Sequence, residues 1–148
     1  MSLKERLADD LKAAMKDKNV VRKNAVQMVR AGILQIEKDK KITLDDEGVL
    51  DVIAKQLKQR RDSLPDYEKS GREDLIAELK AEMDVLMEYL PAQLTREELE
   101  EIVGQAIAAT GASSMKDMGK IMAEVMPKTK GRADGKMINE IAKAMLTQ

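Results

Sequence analysis

Apolar residues recur at intervals of three and four along almost the whole sequence, and nowhere do they alternate in twos between hairpin turns. That recurrence restricts the chain to helices, and only three prolines interrupt it. Ser2 and Glu5 have the spacing of a capping box, and Leu3, Leu7, Leu11 and Met15 form one face of a first helix ending near Lys16-Asp17. A second helix, from Asn19 to Lys38, carries Val21, Ala25, Met28, Val29, Gly32, Ile33 and Ile36, a surface too wide for a helix lying on the outside of a bundle. Thr43 is placed to cap a third, with Asp45, Asp46 and Glu47 in its first turn against the positive end of the helix dipole. Its stripe is Val49, Leu50, Ile53, Leu57 and Leu64, and Pro65 is expected to kink or end it one residue earlier. A fourth helix, Arg72 to Tyr89, presents Leu75, Ile76, Leu79, Met83, Leu86 and Met87 before Pro91 stops it.

Pro91 followed by Thr95 and Glu98, the spacing of a new capping box, marks the expected domain boundary. The organisation read from the residues is all-α: an N-terminal domain of about four helices over residues 1–90, a short linker at 91–94, and a C-terminal three-helix domain over 95–148. The last three helices are expected at Arg96 to Thr110, Met115 to Met126 and Gly135 to Leu146. Ser114 with Asp117 has the form of a capping box for the middle one.

Histidine and cysteine are both absent, which removes the commonest general base, the commonest metal ligand, thiolate chemistry and disulfides together. The carboxylates of Asp45-Asp46-Glu47 and Glu97-Glu98-Glu100-Glu101 fall in first helical turns, where the dipole accounts for them. No catalytic residue, metal site or cofactor is therefore expected. Without cysteine, and without the roughly 20 consecutive apolar residues of a membrane span, the chain is expected in the cytoplasm and away from membranes.

Net charge is −1, yet from residue 113 to 148 seven Lys/Arg (116, 120, 128, 130, 132, 136, 143) face four acids (117, 124, 134, 140). Four of those cations, Lys128, Lys130, Arg132 and Lys136, fall within nine residues of predicted loop containing Gly131 and Gly135. Free N–H groups at the start of the last helix and these cations are suited to phosphate oxygens. A solvated interhelical turn with Asp134 as N-cap explains the same residues, and the residues alone leave both readings open. Gly131 to Lys136 is one residue short of a phosphate-binding loop of nucleotide hydrolases and lacks its Ser/Thr. Base stacking is disfavoured, because Tyr67 and Tyr89 are the only aromatic residues. Lys55, Lys58, Arg60 and Arg61 read as a solvated face of the third helix that can extend a contact surface. Eleven methionines at helical spacing read as core, with Met118, Met122 and Met126 as the alternative, an adaptable protein-binding face.

Tyr89-Leu90-Pro91-Ala92-Gln93-Leu94 with Glu97-Glu98-Leu99, Met118-Gly119-Lys120-Ile121-Met122, and Lys128 to Lys136 followed by Ile138-Asn139-Glu140 together resemble the bacterial YqeY family. That family is similar to the tail of the B subunit of glutamine-dependent tRNA amidotransferase. The resemblance implies a helical domain joined to a three-helix tail that holds tRNA, with Lys120, Lys128, Lys130, Arg132 and Lys136 at the positions of backbone contact. It also implies, as alternatives, membership of a carbon–nitrogen ligase reaction with glutamine as amido-N-donor, or a tRNA-modifying or tRNA-charging enzyme as partner. Nothing in the chain corresponds to the amidotransferase domain that binds ATP or to the amidase serine and lysine, so an accessory role without catalysis of its own is the leading expectation.

Overall fold

The structure is a computed structural model and describes residues 1–147. Among them the chain forms seven α-helices and no strand: α1 (Leu3–Lys16), α2 (Val20–Lys40), α3 (Asp46–Ser70), α4 (Glu73–Met87), α5 (Arg96–Thr110), α6 (Met118–Thr129) and α7 (Gly135–Leu146), with one 3-10 turn at Met115–Asp117. The all-α expectation holds. None of these helices is long and apolar enough to cross a membrane. The chain divides into two compact units, Met1–Pro91 and Ala92–Gln148.

In the first unit the capping box of α1 forms in full, Ser2 Oγ accepting from Glu5 N and Glu5 accepting from Ser2 N. Leu7, Leu11 and Ala14 are buried, whereas Met15 is 56% exposed. The reason is geometric: steps of four advance about 40° beyond a full turn each, so by Met15 the row begun at Leu3 has left the core face, which Ala14 occupies instead. The second helix is central as expected, packing against α1, α3 and α4. Ala25, Val26, Val29 and Ile33 form its buried face, and Met28 is turned largely outward. A Cβ at Gly32 would stand 3.0 Å from Gln56 Nε2 and 3.2 Å from Val52 Cγ1, so the missing side chain lets α2 and α3 approach closely.

The third helix departs from expectation at its start and at Pro65. Asp45, not Thr43, is the N-cap, its Oδ1 accepting from Gly48 N at 2.9 Å. Leu44 N donates to Glu37 Oε2 at 2.7 Å, which fixes the chain just before that cap, and the same carboxylate accepts from Lys4 Nζ. Lys4 and the Leu44 amide together hold the Glu37 carboxyl below the usual range. The helix then runs through Pro65 to Ser70 and stops at Gly71, whose φ of 70° is left-handed. Pro65 is exposed, so water can reach the carbonyl that its ring leaves without a donor.

Arg60 was expected on a solvated face and is instead 8% exposed. It stands one turn beyond Leu57 and two beyond Ile53, so helical period alone carries it inward, where its aliphatic stem packs. Each nitrogen of its head has an acceptor: Nε donates to Glu82 Oε2 at 3.1 Å, Nη1 to Gln56 O at 3.2 Å, and Nη2 to Met28 Sδ at 3.4 Å.

The end of this unit is tied back to its beginning. Arg22 grips Glu88 with both nitrogens at 2.6 and 3.0 Å, and this bond holds the Glu88 carboxyl below its usual value. Tyr89 is buried, donates its hydroxyl to Asp10 and lies beneath the Arg6 guanidinium, 4.5 Å from ring centroid. Burial first, and the Asp10 carboxylate second, push its phenol pKa well up.

Two substitutions test this account by urea unfolding. Glu82→Ala leaves the Arg60 guanidinium buried without its carboxylate and is expected to cost about 2–3 kcal/mol. Pro65→Ala restores a helical N–H and is expected to stabilise the chain by about 1 kcal/mol or more; a loss of stability would mean that Pro65 is accommodated in some way a regular helix is not.

Candidate nucleic-acid interface

The second unit is built on eight buried aliphatic residues: Leu99, Val103 and Ala106 of α5, Ile121 and Val125 of α6, and Ile138, Ile141 and Ala142 of α7. Thr95 Oγ1 accepts from Glu98 N at 3.2 Å and starts α5, which Gly111 ends at a left-handed φ of 68°. The next start differs from expectation. Met115–Asp117 is a 3-10 turn whose N-cap Ser114 makes no side-chain cap bond, and α6 proper begins at Met118. Asp117, the residue before α6, makes no side-chain cap bond to it either; its Oδ2 accepts instead from Ser113 N at 3.0 Å, and that bond, helped by Ser114 N and Lys120, lowers its pKa. At its far end α6 passes through Pro127 to Thr129 instead of stopping at Met126. Thr129 is buried and returns its hydroxyl to Val125 O at 3.1 Å.

Between α6 and α7 lies the loop that carries the cation cluster. Arg132 N donates to Thr129 O at 2.8 Å, and Gly131 takes φ 73°. Residues 92–94, read from the sequence as linker, run beside it and are bonded to it. Leu94 N donates to Arg132 O at 2.8 Å, Gln93 Nε2 to Gly131 O at 2.9 Å, and Arg132 Nε to Ala92 O at 3.1 Å. Asp134 is the N-cap of α7, its Oδ1 accepting from Lys136 N at 3.1 Å.

Each candidate residue thereby has a place. Lys128 is on the last turn of α6, exposed and 3.8 Å from Glu124. Lys130 follows directly and is exposed, and Lys136 is exposed on the first turn of α7. Arg132 is half-buried because its side chain turns toward Ala92. Lys120 stands apart, eight residues before Lys128 on α6 and hence about 12 Å along its axis, with its ammonium 3.9 Å from Asp117. The structure thus groups four of the five around one loop and leaves Lys120 two turns away. Sequence reasoning missed Gln93 and Leu94, which hold the loop's carbonyls across about forty positions of chain, and no local pattern marks them.

Both tyrosines belong to the first unit, and Tyr89 is committed to Asp10 and Arg6. Any nucleic-acid contact by the second unit must therefore rest on charge and backbone, not on stacked bases. Among the described residues, no three carboxylates gather closely enough to hold a metal ion.

Comparison with known proteins places this sequence in a family. A protein of Pyrenophora tritici-repentis named altered inheritance of mitochondria protein 41, mitochondrial, is 32% identical over 131 residues, 86% of this chain and 71% of the relative. Proteins of the same name from Kluyveromyces lactis and Saccharomyces cerevisiae are 38% identical over 104 residues and 33% over 89. The alignments take in 68% and 57% of this chain, and 56% and 46% of those relatives. These names overturn the expectation of a cytoplasmic protein, since the relatives are mitochondrial by name. That expectation rested on missing cysteines and missing apolar stretches, properties that do not distinguish one aqueous compartment from another. Residues 4–146 match the description Yqey-like protein, and the chain belongs to that family.

Proposed function

We propose that the second unit is a phosphate-contacting module for tRNA, acting beside a tRNA-modifying or tRNA-charging enzyme and performing no chemistry itself. The observation that supports this most is the pinned loop. Gln93 and Leu94 hold the carbonyls of Gly131 and Arg132, so Lys128, Lys130 and Lys136 project from a backbone that is already ordered. An ordered scaffold spares the entropy that a free basic turn would lose on binding. Arg132 contributes doubly, bracing the loop through Ala92 O and adding its charge to the cluster. Mitochondrial tRNA is the natural first probe, because the named relatives are mitochondrial.

Met126 and Met137 are 45% and 40% exposed in the same unit and favour a second reading, a protein partner gripped by flexible thioethers. Salt separates the two. Phosphate contacts weaken steeply with ionic strength, whereas apolar contacts do not.

Titrating labelled mitochondrial and total tRNA with the full chain is expected to give a slope of log affinity against log salt of roughly −3, for about four neutralised phosphates. Lys128→Ala should weaken binding and reduce that slope by about 1. Gln93→Ala should destabilise the chain by about 1 kcal/mol and weaken binding while leaving the slope unchanged, because it removes order and no charge. If a Lys128/Lys130/Arg132 triple alanine variant binds as tightly as the parent at low salt, the proposal fails.

A further inference from the structure

The first unit carries a separate surface on the outward side of α2. Residues 23, 27, 30, 34 and 38 fall within about 40° of one line along that helix. They are Lys23, Gln27, Arg30, Leu34 and Lys38, a row with no acid in it. Leu34, in the middle, is 66% exposed, an unusual position for a leucine flanked by cations. Beside it, between α1 and α2, opens a cleft of about 120 Å³ lined by Lys4, Leu7, Arg30, Ile33, Leu34 and Glu37. Its size approaches the roughly 150 Å³ of cavities that accept a benzene-sized apolar group.

The charges around this cleft are unbalanced. Residues 19–41 hold six Lys/Arg (22, 23, 30, 38, 40, 41) against Glu37 and Asp39, and only Arg22 of the six is matched by an acid from elsewhere in an ion pair described above, that with Glu88. Glu37 is taken by Lys4 and the Leu44 amide, and Asp39 accepts from Gln35 at 2.9 Å. Among the described residues, Arg30 and Lys38 have no ion pair, in contrast to Lys120 and Lys128 of the second unit.

We propose that this cleft and ridge dock an acidic amphipathic helix of a partner protein. One apolar side chain enters between Leu7, Ile33 and Leu34, and carboxylates on either side of it face Arg30 and Lys38. The shape selects a helix over a bilayer: a flat anionic membrane would rest on the Leu34 ridge and leave the cleft beside it unfilled, whereas a projecting side chain fills it. The charge selects acidic flanks, because a helix with basic flanks would set like charges against Arg30 and Lys38. The site lies wholly in the first unit and does not depend on the tRNA reading of the second.

The test uses the full chain, isotope-labelled for NMR, and a synthetic 18-residue helical peptide with leucines along one face and glutamates beside them. Resonances of Lys4, Leu7, Arg30, Ile33, Leu34 and Glu37 are expected to shift together on titration. Arg30→Glu and Leu34→Glu should each weaken peptide binding at least five-fold. Both residues are exposed, so helical circular dichroism should stay unchanged. Lys128→Ala, which probes the tRNA reading, should leave peptide binding unaltered. Shifts absent from the cleft, a smaller effect of both substitutions, or displacement of the peptide by phosphatidylglycerol vesicles would each overturn the proposal.

Discussion

Most of the stability of helices in a folded protein comes from packing an apolar face, so each unit here, with helices of 12 to 25 residues, depends on burying one aliphatic stripe per helix against its neighbours. The constraint is tighter than usual because the chain has no phenylalanine or tryptophan. Leucine, isoleucine and valine contribute about 1.5–3 kcal/mol each when buried, less area than a large aromatic ring supplies. In the second unit six such residues and two alanines, from three helices, form the buried core cluster among the described residues. A core that small leaves little margin, and polar bonds at its edges carry a correspondingly larger share of the order.

Those polar bonds occur where chain segments distant in sequence meet. Arg22 with Glu88, and Tyr89 with Asp10 and Arg6, close the first unit by joining its last residues to α1 and α2. Glu37 joins α1 to the approach to α3, and Arg60 with Glu82 joins α3 to α4. In the second unit the same task falls to Gln93, Leu94 and Arg132. Of the charged groups in these ties, the guanidinium of Arg60 is the one taken almost wholly out of water, which is why its carboxylate partner matters more than the exposed Lys58 pair with Asp62 on the same helix.

Where a helix has both a side-chain cap and a glycine or a loop at its ends, its bounds can be read from the residues. Helix α5, capped by Thr95 and ended at Gly111, and α7, capped by Asp134, begin and end at the expected positions. Proline misled at Pro65, which is exposed and remains helical, and α6 likewise runs past its expected end at Met126 through Pro127 to Thr129. A period of four misled at Met15, and charge misled at Arg60, whose position on the stripe outweighed its type. For the candidate interface, composition located the cations and spacing located Asp134, because both are local properties. The bonds from residues 92–94 to the loop at 131–132 span about forty positions of chain, and no local pattern announces a glutamine side chain meeting a distant carbonyl.

The cap on α7 also decides which part of the loop is able to hold a phosphate. A helix N-terminus attracts anions through its free N–H groups and its dipole, but Asp134 already sits there, bonded to Lys136 N, and brings its own negative charge. An incoming phosphate would meet a carboxylate at the place where the dipole is strongest. Under the proposed reading, phosphates would instead be met from the sides, by the exposed Lys128 and Lys130 at the end of α6 and Lys136 on α7. Contacts of that kind are strong in number and weak in geometry: they follow the spacing of phosphates along a backbone and do not enclose a single one. The arrangement suits a polyanion held along its length better than a nucleotide held in a pocket.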